Sequence, residues 1–125
     1  MTHSTAAFFA SFRYATAGVR LLFLRQRNAR VQAVLGVGAL GLGAFLRLSR
    51  LDWAVLVLTI ALVLALEGVN TALEAVVDLV TTEYHPLAKA AKDLAAGAVW
   101  LSALAALAIG ALLFGPPLLR LVGSK

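Results

Sequence analysis

The sequence predicts an all-α integral membrane protein: an N-terminal amphipathic helix lying on the bilayer surface, followed by three transmembrane helices, in one domain over residues 1–125. Three observations carry this. Of the 125 residues 62% are hydrophobic and only 14% are charged, far from the balance of a soluble globule. No residue from Leu94 to Gly115 is charged, a run long enough to cross about 30 Å of hydrocarbon. Ahead of the first membrane segment, apolar residues gather on one side of a helix, as they do where a helix lies in the interface.

The surface helix is expected over residues 5–27. At about 100° per residue, Phe8, Phe9, Phe12, Ala15, Val19, Leu22 and Phe23 share a face flanked by Arg13 and Arg20. The bland alternative is an amphipathic helix on a soluble core, which the rest of the chain disfavours. The first span is expected over 30–48. Its uncharged part, Ala33 to Leu46, is short, and it reaches full length by letting Gln32 and Arg47 extend to the interface. "RLSRLDW" makes a tight turn into the second span, 52–82, uncharged from Trp53 to Leu66 and continuing helically past Glu67. The third span, 89–119, contains the Leu94–Gly115 run. Trp53 and Trp100 suit either headgroup level or packing. Small residues recur in the spans (Gly36, Gly38, Gly41, Gly43; Ala95, Ala96, Gly97, Ala98), which lets helix backbones approach and favours an oligomer.

Charge sets orientation. Arg13, Arg20, Arg25, Arg27, Arg30, Lys89 and Lys92 lie on one side, and Arg47, Arg50, Arg120 and Lys125 on the other, so the N-terminus and the second connection are expected in the cytoplasm. The excess of 11 basic over 6 acidic residues is better explained by topology and anionic headgroups than by nucleic acid, since a solvated basic groove is hard to build from so apolar a chain. "MTHSTAAFFASFRYATAG" lacks the pattern of a secretory signal. With no cysteine there is no disulfide, thiolate metal site or thiol nucleophile.

The chemistry concentrates in "EGVNTALEAVVD". On a helix Glu67, Asn70, Glu74 and Asp78 occupy an arc of about 80° spread over about 16 Å, while Val69, Leu73, Val76 and Leu79 keep the other faces apolar. Carboxylates at membrane depth cost several kcal/mol unless paired, metal-bound or hydrated, and mark functional sites more often than not. A merely solvated helix end would not hold its opposite face wholly apolar. Five of the six acids lie between Glu67 and Asp93, together with His85, Lys89 and Lys92. Hard oxygen ligands suit Mg²⁺ completed by water and phosphates; Lys92 suits a phosphate; a spared carboxylate suits proton removal from an alcohol. Such a set describes phosphoryl transfer at the membrane surface without a Walker loop. His85 and Lys89 taken alone are weak, being a loop residue and a topology charge.

"ALEGVNTALEAVVD", "EYHPLAKAAKD" and "AAGAV", with "FRYATAG" and "RQRNARVQ" upstream, resemble the bacterial diacylglycerol kinase and undecaprenol kinase family of small membrane enzymes, from about Phe12 to Trp100. The resemblance implies a homotrimer of three-span subunits in the bacterial cytoplasmic (inner) membrane, using ATP and Mg²⁺ to phosphorylate a lipid alcohol on the cytoplasmic side. It implies that Glu67 is the general base, that Asn70 helps order the site, and that Glu74 holds Mg²⁺. Asp78 would support the acidic face; Glu83, Tyr84, His85, Lys92 and Asp93 would surround the nucleotide, and Tyr14 would contact it. Where the family usually has a second metal-binding Glu, this chain has Gln26, whose amide oxygen can ligate Mg²⁺ but brings no charge. "HPLAKAAKDLAAGAV" is similar to the undecaprenol kinases, which favours a polyprenol over diacylglycerol. The non-enzymatic alternative is an oligomeric ion or proton pathway, which leaves Lys92 beside Asp93, and Asn70 three residues after Glu67, unexplained.

Overall fold

The computed structural model describes residues 5–123, as four helices in the order α1 (Thr5–Arg25), α2 (Arg27–Phe45), α3 (Arg50–Val80) and α4 (Pro86–Gly123). Lys125, counted among the orientation charges, lies outside the described residues. By length and composition three segments are able to cross a membrane: Ala7–Arg25, Arg50–Val80 and Pro86–Gly123. Helix α2, expected as the first span, is not among them, and a segment of α1 is. Arg27, Asn28, Arg30 and Gln32 fill the first turns of α2 with polar groups, whereas α1 spreads its arginines among aromatic and aliphatic residues.

A single residue separates α1 from α2. Gln26 is extended (φ −100°, ψ 116°), its N–H still donates to the Leu22 carbonyl at 2.8 Å, and its side chain caps nothing. The α2–α3 turn is more tightly specified. Arg47 takes the left-handed conformation (φ 53°), its N–H donates to Ala44 O, and the Leu48 N–H donates back to Gly43 O at 3.1 Å. This is the Schellman ending, with an arginine where glycine is usual. Ser49 then caps α3: its hydroxyl accepts from the Asp52 N–H, and the Asp52 carboxylate accepts from the Ser49 N–H and hydroxyl at 3.2 and 2.7 Å. Between α3 and α4, Pro86 occupies the first helical position, where its missing N–H is harmless, and His85 Nδ1 accepts from the Leu87 N–H at 3.2 Å as the cap.

Packing is concentrated on α3, which meets α4 most extensively, then α2, and touches α1 lightly. The buried residues of α2 are Ala29, Gly36 and Gly43, one every seven residues, and they face the buried Leu56, Val63 and Glu67 of α3. A seven-residue repeat keeps one seam of a helix against its neighbour. Here small residues make the seam close: a Cβ on Gly36 would lie 3.0 Å from Ile60 Cγ2, and one on Gly43 would lie 3.1 to 3.4 Å from Leu48, Leu56 and Trp53. Trp53 is therefore packing, while Trp100 is exposed. Hydroxyls inside the helices donate back to their own turns, as Thr59 to Val55 O and Ser102 to Val99 O, which satisfies them without solvent. Most other large apolar side chains of α3 and α4 remain exposed, a surface suited to lipid or another copy and not to water.

Gly43→Val should overpack the seam by about 1–3 kcal/mol, lowering the thermal midpoint in detergent, whereas Gly38→Ala, with nothing within 4 Å, should be neutral or slightly stabilising. Equal midpoints in both variants would show that α2 and α3 are not held by this contact.

Candidate active site

Glu67 is the buried charge of the described residues, 2% exposed in the α2–α3 seam. Gln32 of α2 donates to it: Nε2 lies 3.2 Å from Glu67 Oε2. The sequence places Gln32 at the interface as a snorkelling end residue; in the structure it points into the seam instead. The reason is register. Gln32 precedes Ser49 by 17 residues and Glu67 follows Arg50 by 17, so an antiparallel hairpin closed by that turn sets them side by side. Thr71, one turn on from Glu67, donates its hydroxyl to the Glu67 carbonyl at 2.9 Å.

Glu74, Asp78 and Asp93 each have a partner of their own. Asn70 Nδ2 donates to Glu74 Oε1 at 3.1 Å, the i,i+4 spacing that puts both on one face of α3. Lys92 of α4 reaches across to Asp78 at 2.5 Å and ties the start of α4 to the end of α3. Lys89 pairs with Asp93 one turn along α4. Both ion pairs are substantially exposed, so they contribute little to stability and leave their charges available to a ligand.

The expected site residues thus fall into a line on α3 with residues of α4, a stretch of the α3–α4 connection, and two separate positions at α1 and its end. Glu67, Asn70, Glu74 and Asp78 line one side of α3, and Lys92 and Asp93 begin α4 opposite the end of that line. Glu83, Tyr84 and His85 lie on the exposed connection between the two helices; His85 is already engaged as the α4 cap, and Tyr84 is 80% exposed. Tyr14 is exposed on α1, with the Arg13 guanidinium 5.4 Å from its ring centre. Gln26 sits at the α1–α2 break.

Among the described residues no three His, Asp or Glu side chains converge on a point where a metal would sit. Amide oxygens extend the donor set. Asn70 Oδ1 and Gln32 Oε1 are buried without a hydrogen-bond partner, and Asn70 Oδ1 belongs to the side chain that already holds Glu74. A carboxylate with an unpartnered amide oxygen beside it fits Mg²⁺, which takes one or two carboxylates and fills its remaining positions with water and phosphate oxygens.

Two grooves are lined by neighbours of Glu67: Gly68 and Thr71 of α3 in one, and its partner Gln32 in the other. One, of about 580 Å³ between α1 and α3, is lined by Ala15, Gly18, Leu22, Leu64, Gly68 and Thr71 among others, nearly all apolar. The other, of about 380 Å³ among α2, α3 and α4, has Gln32 and Thr59 as its polar residues, with Gly36, Val63, Ile109 and Phe114 among the apolar ones.

Residues 13–114 match the family described as prokaryotic diacylglycerol kinase. A diacylglycerol kinase of Synechocystis sp. is 53% identical over 113 residues, which cover 90% of this chain and 65% of that protein. Undecaprenol kinase of Bacillus subtilis is 42% identical over 111 residues, 89% of this chain and 90% of the relative. A diacylglycerol kinase of Escherichia coli K12 is 30% identical over 93 residues, 74% and 76% of the two chains.

The Gln32–Glu67 contact can be tested without any assay of turnover. Gln32→Met keeps the shape and removes the donor, and should cost about 1–3 kcal/mol because a buried acceptor is left unmade. Adding Glu67→Leu should recover most of that loss, since both partners are then apolar. Additive losses in the double variant, read by chemical unfolding in detergent, would mean the two side chains do not interact.

Proposed function

The chain belongs to the prokaryotic diacylglycerol kinase family, and from that premise we propose that it transfers the γ-phosphoryl group of ATP to a membrane lipid alcohol. The observation that carries the reading is Glu67: a carboxylate 2% exposed, held by one neutral donor, at the membrane end of a polar line that leads to the exposed Asp78 and Lys92. A lipid alcohol stays in the bilayer and ATP in water, so their reacting groups must meet at such a boundary.

Glu67 takes the proton of the lipid hydroxyl as the lipid oxygen bonds to the γ-phosphorus; the bond from that phosphorus to the β,γ-bridging oxygen breaks and ADP leaves. Gln32 and the seam keep the carboxylate in place, so little reorganisation accompanies the proton transfer. Lys92, exposed enough to turn from Asp78, supplies positive charge to the phosphates, and the connection bearing Glu83, Tyr84 and His85 borders them, with Tyr14 approaching from α1. Glu74 with Asn70, and Gln26 as a neutral contributor, would hold Mg²⁺, which when bound neutralises phosphate charge.

The lipid chain runs in the α1–α3 groove. That groove favours a polyprenol: its lining is small and apolar, and the Thr71 hydroxyl is already given to the Glu67 carbonyl, so no donor remains there for the ester carbonyls of a diacylglycerol. The diacylglycerol reading is kept because the 53% identical relative bears that name. Direct competition of undecaprenol with diacylglycerol for ATP-dependent phosphorylation separates them. We further propose that α1 lies on the cytoplasmic surface of a bacterial inner membrane and that the working unit is a homotrimer, consistent with the apolar surface that each protomer leaves uncovered.

Glu67→Gln removes the proton acceptor and keeps the shape; turnover should fall by about 10² or more with ATP binding retained. Turnover within about threefold of the parent would reject Glu67 as the base.

Glu74→Ala should raise the Mg²⁺ concentration needed for nucleotide binding, and Gln26→Glu should lower it by adding a charged ligand. Measured by Mg²⁺ titration of ATP binding, identical midpoints in the parent and both variants would remove these residues from the metal site.

A further inference from the structure

At the opposite end of the bundle from the acidic line, the α2–α3 turn and the last turns of α4 enclose a groove of about 590 Å³ lined by Phe45, Leu46, Arg47, Leu48, Ser49, Asp52, Pro117, Arg120 and Leu121. We propose that it binds the phosphodiester of an anionic phospholipid, with Arg47 and Arg120 as the recognising groups.

Charge is the first argument. Neither guanidinium has a carboxylate within ion-pair distance among the described residues, where the ion pairs are Lys89–Asp93 and Lys92–Asp78. The one acid in the groove, Asp52, is engaged by the Ser49 N–H and hydroxyl in the α3 cap. Two arginines against one acid leave one net positive charge, the complement of a phosphodiester, and guanidinium forks match phosphate oxygens. Conformation is the second. Arg47 takes the left-handed backbone at the helix ending, and that ending places it in the lining of the groove together with Leu48 and Ser49.

Depth is the third. Arg50 and Glu67 are separated by 17 residues of continuous α3, about 26 Å of rise, close to the thickness of the hydrocarbon. If Glu67 marks one headgroup boundary, Arg47 and Arg120 stand at the other. The lining is also amphiphilic: Phe45, Leu46, Leu48 and Pro117 offer apolar wall beside the charges, which suits a lipid rather than a free phosphate ion. A lipid seated there would join the α2–α3 turn to the end of α4 beyond Pro116 and Pro117. Depth apart, the proposal does not depend on phosphoryl transfer and would stand if that assignment failed.

The full chain, reconstituted in phosphatidylcholine nanodiscs, is to be unfolded thermally with and without added phosphatidylglycerol, and separately with millimolar inorganic phosphate. Phosphatidylglycerol should raise the midpoint by roughly 3 °C or more, and phosphate should not. The double variant Arg47→Gln/Arg120→Gln should lose that increment, while Arg27→Gln/Arg30→Gln, which removes equal charge at the other end, should keep it. Should the first pair fail to fold, Arg120→Gln alone, in an exposed last turn, should lose at least half. The proposal is overturned if phosphatidylglycerol and phosphatidylcholine stabilise equally, if phosphate reproduces the effect, or if the increment survives in the Arg47/Arg120 variants or disappears in the Arg27/Arg30 control.

Discussion

Everything in this chain depends on how closely α2 approaches α3. Ala29, Gly36 and Gly43 carry almost no side chain along one seam, so Ile60, Leu56 and Trp53 of α3 fill the space that larger residues would have held open. In lipid, helix association gains little from hydrophobic transfer, and contact at short range has to supply it. The same approach allows an uncharged glutamine on one helix to reach a carboxylate on the other. Move the backbones apart by the width of a methyl group or two, and Glu67 becomes a charge without its hydrogen-bond donor among apolar side chains, which is costly. Packing and the buried carboxylate therefore share one seam.

The distribution of polar partners along α3 follows the solvent it crosses. At depth, Glu67 has a neutral amide partner, whose pairing avoids burying a second charge; nearer the end, Glu74 has another amide; at the exposed end, Asp78 has a lysine from α4. Ion pairs are thus kept for where water screens them and amides for where it is excluded, the order that desolvation costs require.

Much of this was legible in the chain. The acids of α3 stand out because charge within an apolar helix is rare, whereas the start of α4 at Pro86, capped by His85, lies three residues ahead of the expected bound. Gln32 was not legible by composition, since a neutral amide at the end of an apolar run reads as an interfacial residue; counting outward from the Ser49–Arg50 turn would have found it, but only with the turn's exact closure known. That closure was hidden by Arg47, because a left-handed ending is looked for at glycine or asparagine. The roles of α1 and α2 in crossing the bilayer were hard to rank because both are nearly equally apolar, their arginines and glutamines tipping the balance by a few side chains.

The α2–α3 turn has a consequence for biosynthesis. Between Phe45 and Arg50 the chain reverses with its backbone donors at Leu46, Arg47, Leu48 and Ser49 all accepted, and with Asp52 folded back onto Ser49. A reversal whose backbone donors are satisfied locally costs less in an apolar layer than one whose donors are open. Two helices joined in this way are suited to leave the translocation channel together as a paired unit, with the glutamine already beside its carboxylate, before α4 has been synthesised.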